Sequence, residues 1–130
     1  MNYKLLSRLV LCIFFIGAGI LHFAIAPMYV KIMPPYLPAH LELVYISGVF
    51  EILGGIGIII PFLQIPAGYG LVALMVAVFP ANLNMVVNYE QIGLDFPLIL
   101  LWLRLPLQGL LIYWIWWATE LGRKKVSQVQ

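Results

Sequence analysis

The chain has 130 residues, of which 64% are hydrophobic and only 9% are charged. A chain of this composition lacks the polar shell of a water-soluble domain, so the sequence predicts an integral membrane protein whose main partner is the lipid bilayer. The formal net charge of +2 gives no reason to expect a nucleic-acid partner, and the lone Cys12 excludes an internal disulfide and any CxxC metal or redox motif.

Four apolar runs follow one another along the chain. Each is close to the ~20 residues that a helix needs to cross the hydrocarbon core of a bilayer. They occupy residues 9–26, 41–60, 67–87 and 97–118 approximately. Because they use nearly the whole chain, the sequence predicts an all-α, polytopic membrane protein: one domain over residues 1–130, built as a four-transmembrane-helix bundle.

The first run has one alternative reading, as a cleaved signal peptide. Lys4 and Arg8 precede it, and residues 24–26 resemble a small-residue cleavage site. The run exceeds the ~7 to 15 residues of an ordinary signal core, and Pro27 follows it at once. We therefore expect a membrane helix, with His22 near the end away from the N-terminus.

The basic residues predict the orientation of the bundle. Five of them flank the same side, whereas Lys31 is the strong base expected on the opposite side. The positive-inside bias then places both termini in the cytoplasm. We expect a multi-pass protein of a cell membrane, a bacterial inner or plasma membrane. The five are Lys4, Arg8, Arg123, Lys124 and Lys125.

The segment after the first run, Met28 to Met33 (MYVKIM), is apolar apart from one lysine and lies among helix-breaking prolines. Such a segment is suited to lying along the membrane interface, and we expect it to form a lid.

Glu51 is the most informative residue of the second run. It lies about ten residues into that run, so at ~1.5 Å per residue it is ~15 Å deep, near the membrane centre. An acid at that depth costs ~2.5 to 3.5 kcal/mol on insertion scales and is expected to face the bundle interior. Ser47, Gly48, Gly54 and Gly55 share its helix face, which is small enough for close helix contact.

The third and fourth runs carry further polar residues at overlapping depth. Asn82 and Asn84 point in nearly opposite directions, so at most one is expected to point straight inward; Arg104 and Gln108 share one face. A buried arginine near a buried carboxylate satisfies both groups, so the pattern favours contact of Glu51 with Arg104 or, at a similar depth, with the amide of Gln108. All four residues are candidate ligand-binding residues.

Two prolines lie beside these polar residues. Pro80 and Pro106 each remove one backbone hydrogen bond, and they are expected to kink their helices. The carbonyl groups of Val76 and Trp102 should then be free to accept another donor.

Five short stretches together resemble one family. The ordered set resembles the DoxX-like family of small four-helix membrane proteins. Its matching polar positions here are His22, Glu51, Pro80, Asn82, Arg104 and Gln108. The stretches are GAGILHF (17–23), IMPPYLP (32–38), SGVFEILGG (47–55), VFPANLNM (78–85) and RLPLQ (104–108).

The resemblance implies a membrane partner or subunit of a quinone-linked redox system, because some relatives belong to quinone-reducing oxidoreductases. Intramembrane acids and histidines serve in proton relays, so Glu51 and His22 are the candidate catalytic pair and a quinone is the candidate cofactor. Arg104 or His22 would bind a quinone oxygen, and a membrane or soluble redox protein would be the partner. No metal site is predicted, and a haem held by His22 and His40 is a weaker alternative.

Two other functions remain open. The polar residues can form a purely structural network that fixes the helices relative to one another. Distant animal relatives implied by the resemblance are membrane chaperones or cargo receptors, so the chain is alternatively a non-enzymatic chaperone, assembly factor or small-solute transporter.

Overall fold

A computed structural model describes residues 2–93 and 97–122. Over these residues the fold is entirely helical, and four of the helices are long and apolar enough to cross a membrane. These four are α1, α3, α4 and α6, so the predicted all-α class with four spans is confirmed. The helices are α1 (Tyr3–Ala24), α2 (Ala26–Ile32), α3 (His40–Gly57), α4 (Gln64–Val87), α5 (Tyr89–Ile92) and α6 (Leu98–Ala118).

The helix boundaries differ from the predicted ones most at the start of α1, and by three residues at the end of α3 and the start of α4. The α1 helix begins at Tyr3, well before the apolar run, because the side chain of Asn2 caps it by accepting a hydrogen bond from the N–H of Leu5 (3.0 Å). The α4 helix begins at Gln64 and includes Pro66 in its first turn, where the missing N–H group would have no helical partner. Hydropathy therefore identifies the spans, while capping decides where they start.

The four long helices form a ring in which α1 packs on α3, α3 on α4, and α4 on α6. The seam that closes the ring, between α1 and α6, has the lightest packing of the four. We call the end where α1 starts and α6 ends the terminal end, and the opposite end the α2 end. A buried apolar core fills the terminal half; it consists of Leu11, Phe15, Ile58, Leu71, Met75, Ile115 and Ala118.

Polar contacts also close the terminal end. Arg8 Nη1 donates to the carbonyl oxygen of Ala118 (2.8 Å), and Gln64 Nε2 donates to that of Thr119 (3.0 Å). These donors satisfy carbonyl groups at the C-terminal end of α6 that lack helical partners. The free space inside the bundle therefore lies towards the α2 end.

The backbones of α1 and α3 touch through two glycines. A Cβ atom on Gly19 would lie 2.6 Å from the carbonyl oxygen of Gly48, and a Cβ on Gly48 would lie 2.9 Å from that of Gly19. Neither position has room for a side chain. Small residues of this kind let membrane helices approach closely, and here they bring His22 of α1 next to α3.

Replacing Gly19 with alanine should therefore destabilise the protein by about 1 to 3 kcal/mol, because the new methyl group forces α1 and α3 apart. Gly17→Ala is the matched control, since it makes the same change in the same helix at a position with no neighbour within 4 Å. Gly17→Ala should be neutral or stabilising by up to ~1 kcal/mol. Thermal unfolding in mild detergent measures both, and equal effects would contradict the close contact.

Candidate functional site

A cavity of about 320 Å³ lies inside the bundle towards the α2 end. Its walls are mainly apolar, and each of the four long helices adds polar side chains to them. The volume is at the lower end of the range of small-molecule sites, ~300 to 1,000 Å³. The polar lining residues of the long helices are His22, Ser47, Glu51, Asn82, Arg104 and Gln108, and α2 and the residue after it add Tyr29, Ile32 and Met33.

Glu51 and His22 meet inside this cavity. Both side chains are buried, and Glu51 Oε2 is 3.3 Å from His22 Nδ1. The same nitrogen is closer, at 2.8 Å, to the carbonyl oxygen of Ala18. Because a carbonyl oxygen only accepts, Nδ1 must carry the proton and donate it there. Glu51 Oε2 is thus close to His22 but has no hydrogen-bond partner among the described residues.

The predicted pairing of Glu51 with Arg104 or Gln108 does not occur. Glu51 is within ion-pair distance of His22, and the described contacts of Arg104 and Gln108 go to other residues. The reason lies in the helix packing: the glycine contact between α1 and α3 presents His22 to Glu51, whereas Gln108 of α6 is held by α4. The sequence therefore predicted the buried acid correctly and its partner wrongly.

Arg104 lies at the mouth of the cavity. It lines the cavity and is also exposed on the outside of the bundle, and its Nη1 is 3.9 Å from Met85 Sδ, a weak acceptor. Phe14 of α1 and Leu107 of α6 line the cavity and are likewise more than half exposed. The cavity therefore opens sideways, between α1 and α6, where the ring of helices is most loosely closed.

Asn82 and Gln108 form a network that joins α4 to α6. Asn82 Nδ2 donates to Gln108 Oε1, and Gln108 Nε2 donates to the carbonyl oxygen of Met75. The sequence predicted that Pro80 would free the carbonyl group of Val76. The acceptor in the structure is the neighbouring carbonyl group, that of Met75. Gln108 is thus satisfied at both ends of its amide without a ligand.

Asn84 has a different role from the one predicted. It does not line the cavity. Its Nδ2 donates to the carbonyl oxygen of Ile32 at the end of α2 (2.8 Å), and its Oδ1 accepts a hydrogen bond from Asn88 (2.6 Å). Lys31 adds a second tie by donating to the carbonyl oxygen of Gly93 (3.3 Å). These contacts hold α2 over the cavity, where the sequence predicted a lid.

With this geometry established, comparison with known proteins identifies the family. The family described as Domain of unknown function (DUF8561) matches residues 11–119, which include most of every span. The chain belongs to the DUF8561 family. No curated protein and no solved structure matches it. The DoxX-like resemblance of this DUF8561 chain stays a prediction.

Tyr29 lines the cavity of this DUF8561 family member, and the sequence analysis did not single it out. Its ring stacks on that of His22, with the centroids 4.1 Å apart and the planes 17° from parallel. Burial raises the pKa of Tyr29, and the charge of Glu51 acts in the same direction while that of Arg104 opposes it. The hydroxyl group therefore stays protonated. The sequence feature that could have indicated Tyr29 is the presence of an aromatic residue inside the apolar MYVKIM segment.

His40 stands apart from this site. It is the first residue of α3, and its Nε2 is 3.1 Å from the carbonyl oxygen of Pro34. It does not line the cavity beside His22, so the geometry gives no support to a haem between the two histidines. Within residues 2–93 and 97–122, no three His, Cys, Asp or Glu residues are grouped to hold a metal ion.

Proposed function

We propose that this protein binds the head group of a membrane-soluble quinone in the cavity at the α2 end and acts as the membrane partner of a quinone-linked redox system. The observation that carries the proposal is the cavity itself, whose apolar walls receive polar groups from all four spans. A cleft with a few convergent polar groups is the usual form of a small-molecule site. The DoxX-like resemblance supports the redox role.

The lateral mouth favours a ligand that is dissolved in the bilayer. Phe14 and Leu107 line the cavity and also face outward, so an apolar tail can extend between α1 and α6 into lipid. The polar head group would lie deeper, beside His22 and Glu51. An amphiphile with a ring-sized head and an apolar tail has this distribution of polarity.

The polar side chains have distinct roles in this proposal. Arg104, at the mouth, would donate to a quinone oxygen. Reduction of a quinone takes up electrons and protons in equal number; the partner protein exchanges the electrons, and Glu51 and His22 exchange the protons. Both are buried intramembrane ionisable residues, which commonly serve as proton relays.

Filling the cavity tests the proposal. Ala81 lines the cavity, so Ala81→Leu should occupy ligand volume, whereas Ala77→Leu makes the same change one helical turn away, at an exposed position that does not line this cavity. A short-tailed benzoquinone should raise the melting temperature of the wild type and of Ala77→Leu in detergent. Ala81→Leu should bind it at least about tenfold more weakly. Equal binding by both variants would contradict a site in this cavity.

A non-enzymatic role as a chaperone, assembly factor or solute transporter is the second candidate. It is favoured by the Asn82, Gln108 and Met75 network, which is complete without a ligand and joins α4 to α6 as a structural network does. Absence of quinone binding by the wild type would favour this candidate.

We also propose that both termini are cytoplasmic and that the α2 end faces outward, in a bacterial inner or plasma membrane. The proposed orientation rests on the positive-inside bias of Lys4, Arg8 and residues 123–125. It places the polar cavity in the outer half of the bilayer and its lid at the outer surface.

Cysteine labelling measures this orientation. Tyr36 and Phe62 are both strongly exposed loop residues, at 75% and 82%, and they lie at opposite ends of α3. In a Cys12→Ser background, a membrane-impermeant maleimide should label Tyr36→Cys in intact cells and Phe62→Cys only after permeabilisation. The reverse pattern would invert the bundle and place the cavity in the inner half.

A further inference from the structure

One buried polar atom of the cavity wall is a hydrogen-bond acceptor without a donor. Glu51 is 5% exposed, and its Oε2 has no hydrogen-bond partner among the described residues. The nearby Nδ1–H of His22 is committed to the carbonyl oxygen of Ala18. A buried polar atom left in this state costs about 1 to 3 kcal/mol, and a bound ligand that donates a hydrogen bond to it would remove that cost.

His22 adds a second acceptor to the same wall. Because its Nδ1 carries the proton that Ala18 accepts, the Nε2 of the neutral ring carries a lone pair. This nitrogen makes no hydrogen bond within the described part of the chain, and the histidine lines the cavity. Two acceptors, one on α1 and one on α3, therefore belong to one wall of the cavity.

The charged donor of the cavity lies elsewhere. Arg104 is at the mouth on α6, with the weak acceptor Met85 Sδ as its described contact. The amide donors of Asn82 and Gln108 are already used in their own network. The hydroxyl groups of Ser47 and Tyr29, which can donate or accept, also line the cavity. The unpaired acceptors thus lie on α1 and α3, and the charged donor lies at the mouth.

We infer that the ligand enters with a hydroxyl group foremost: the cavity binds the reduced, hydroquinone form of an aromatic head group in preference to its carbonyl form. The inner hydroxyl donates to Glu51 or His22, and the oxygen at the opposite side of the ring accepts from Arg104. A quinone in the same position would turn a carbonyl oxygen towards two acceptors and leave the wall unsatisfied. This inference rests on the proposed quinone site.

The test compares three ligands that share one short alkyl tail. They are a hydroquinone, the corresponding benzoquinone, and the dimethyl ether of the hydroquinone, which keeps the oxygens but has no donor. Affinities are measured under anaerobic conditions by titration calorimetry and by the shift in melting temperature in detergent. The hydroquinone should bind the wild type at least about tenfold more tightly than either of the others.

Two variants locate the preference. Glu51→Gln replaces one acceptor oxygen with a donor, so it should remove most of the discrimination between hydroquinone and quinone. Glu42→Gln is the matched control, since it makes the same change on the exposed first turn of the same helix and should keep the wild-type preference. If Glu51→Gln does not fold, the three wild-type affinities still decide the inference.

The outcomes separate the two proposals. If the quinone or the ether binds as tightly as the hydroquinone, and Ala81→Leu abolishes that binding, the inference is overturned while the quinone site stands. If none of the three binds the wild type, the quinone site and the inference fall together.

Discussion

Replacing Glu51 with methionine should stabilise the ligand-free protein while weakening hydroquinone binding. Methionine fills a similar volume and carries no group that requires a hydrogen bond, so the cost of the unpaired Oε2 atom disappears. The expected gain in the free energy of unfolding is about 1 to 3 kcal/mol. Hydroquinone binding is weakened because one of the two acceptors of the inner wall is gone, and His22 alone remains. Such a trade of activity for stability is typical of functional sites.

The measurement is thermal unfolding in detergent, with and without the ligand. Glu42→Met provides the control: Glu42 is exposed in the first turn of α3, where an acid interacts favourably with the helix dipole. Its replacement should lower stability slightly and leave binding intact. A fall in the melting temperature of Glu51→Met would instead show that Glu51 contributes to packing, as the structural-network interpretation requires.

The sequence predicted the four spans and the burial of Glu51 because both follow from the free energy of transfer into hydrocarbon. A run of ~20 apolar residues crosses the bilayer, and an acid in its middle has to face the protein. These constraints act on each helix separately. They need no knowledge of how the helices pack.

The partner of Glu51 could not be predicted in this way, because it depends on the rotation of one helix against another. Position along the helix placed Arg104 at a suitable depth, but the Gly19 and Gly48 contact turns His22 towards the acid instead. The depth of a residue follows from its position in its own helix, whereas the residue that it contacts depends on how two helices pack. The contact of the Gln108 side chain with the carbonyl oxygen of Met75 likewise depends on how α6 packs against α4.

The lid shows a second limit. The sequence predicted an apolar segment at the membrane surface after the first run, and the structure folds it as α2. Its cavity-lining residue, Tyr29, is defined by stacking on His22, and its anchor, Asn84, by a hydrogen bond to the α2 backbone. Both contacts join residues that are distant in the chain or lie on different helices, so periodicity within one run carries no signal of them.

Asn82 and Gln108 should behave in the opposite way to Glu51, because their amides satisfy one another and the backbone. Gln108→Leu removes the hydrogen bond to the carbonyl of Met75 and leaves the amide of Asn82 without its acceptor, and it should cost about 1 to 2 kcal/mol. Asn82→Leu removes the donor to Gln108 Oε1 and should cost less, since Gln108 keeps its bond to the backbone. Neither substitution removes an unsatisfied polar group, so neither should increase the stability of the protein.

A double-mutant cycle measures the coupling between the two amides. Once Gln108 is leucine, the further change Asn82→Leu breaks nothing that is still intact, so the double variant should be less destabilised than the sum of the single ones by about 0.6 to 1.7 kcal/mol. Asn84→Leu with Gln108→Leu is the matched control pair, because the amide of Asn84 bonds to the carbonyl of Ile32 and shares no partner with Gln108. That pair should be additive. Additive effects for Asn82 and Gln108 as well would mean that the two amides do not meet, and that α4 and α6 are held together by apolar packing.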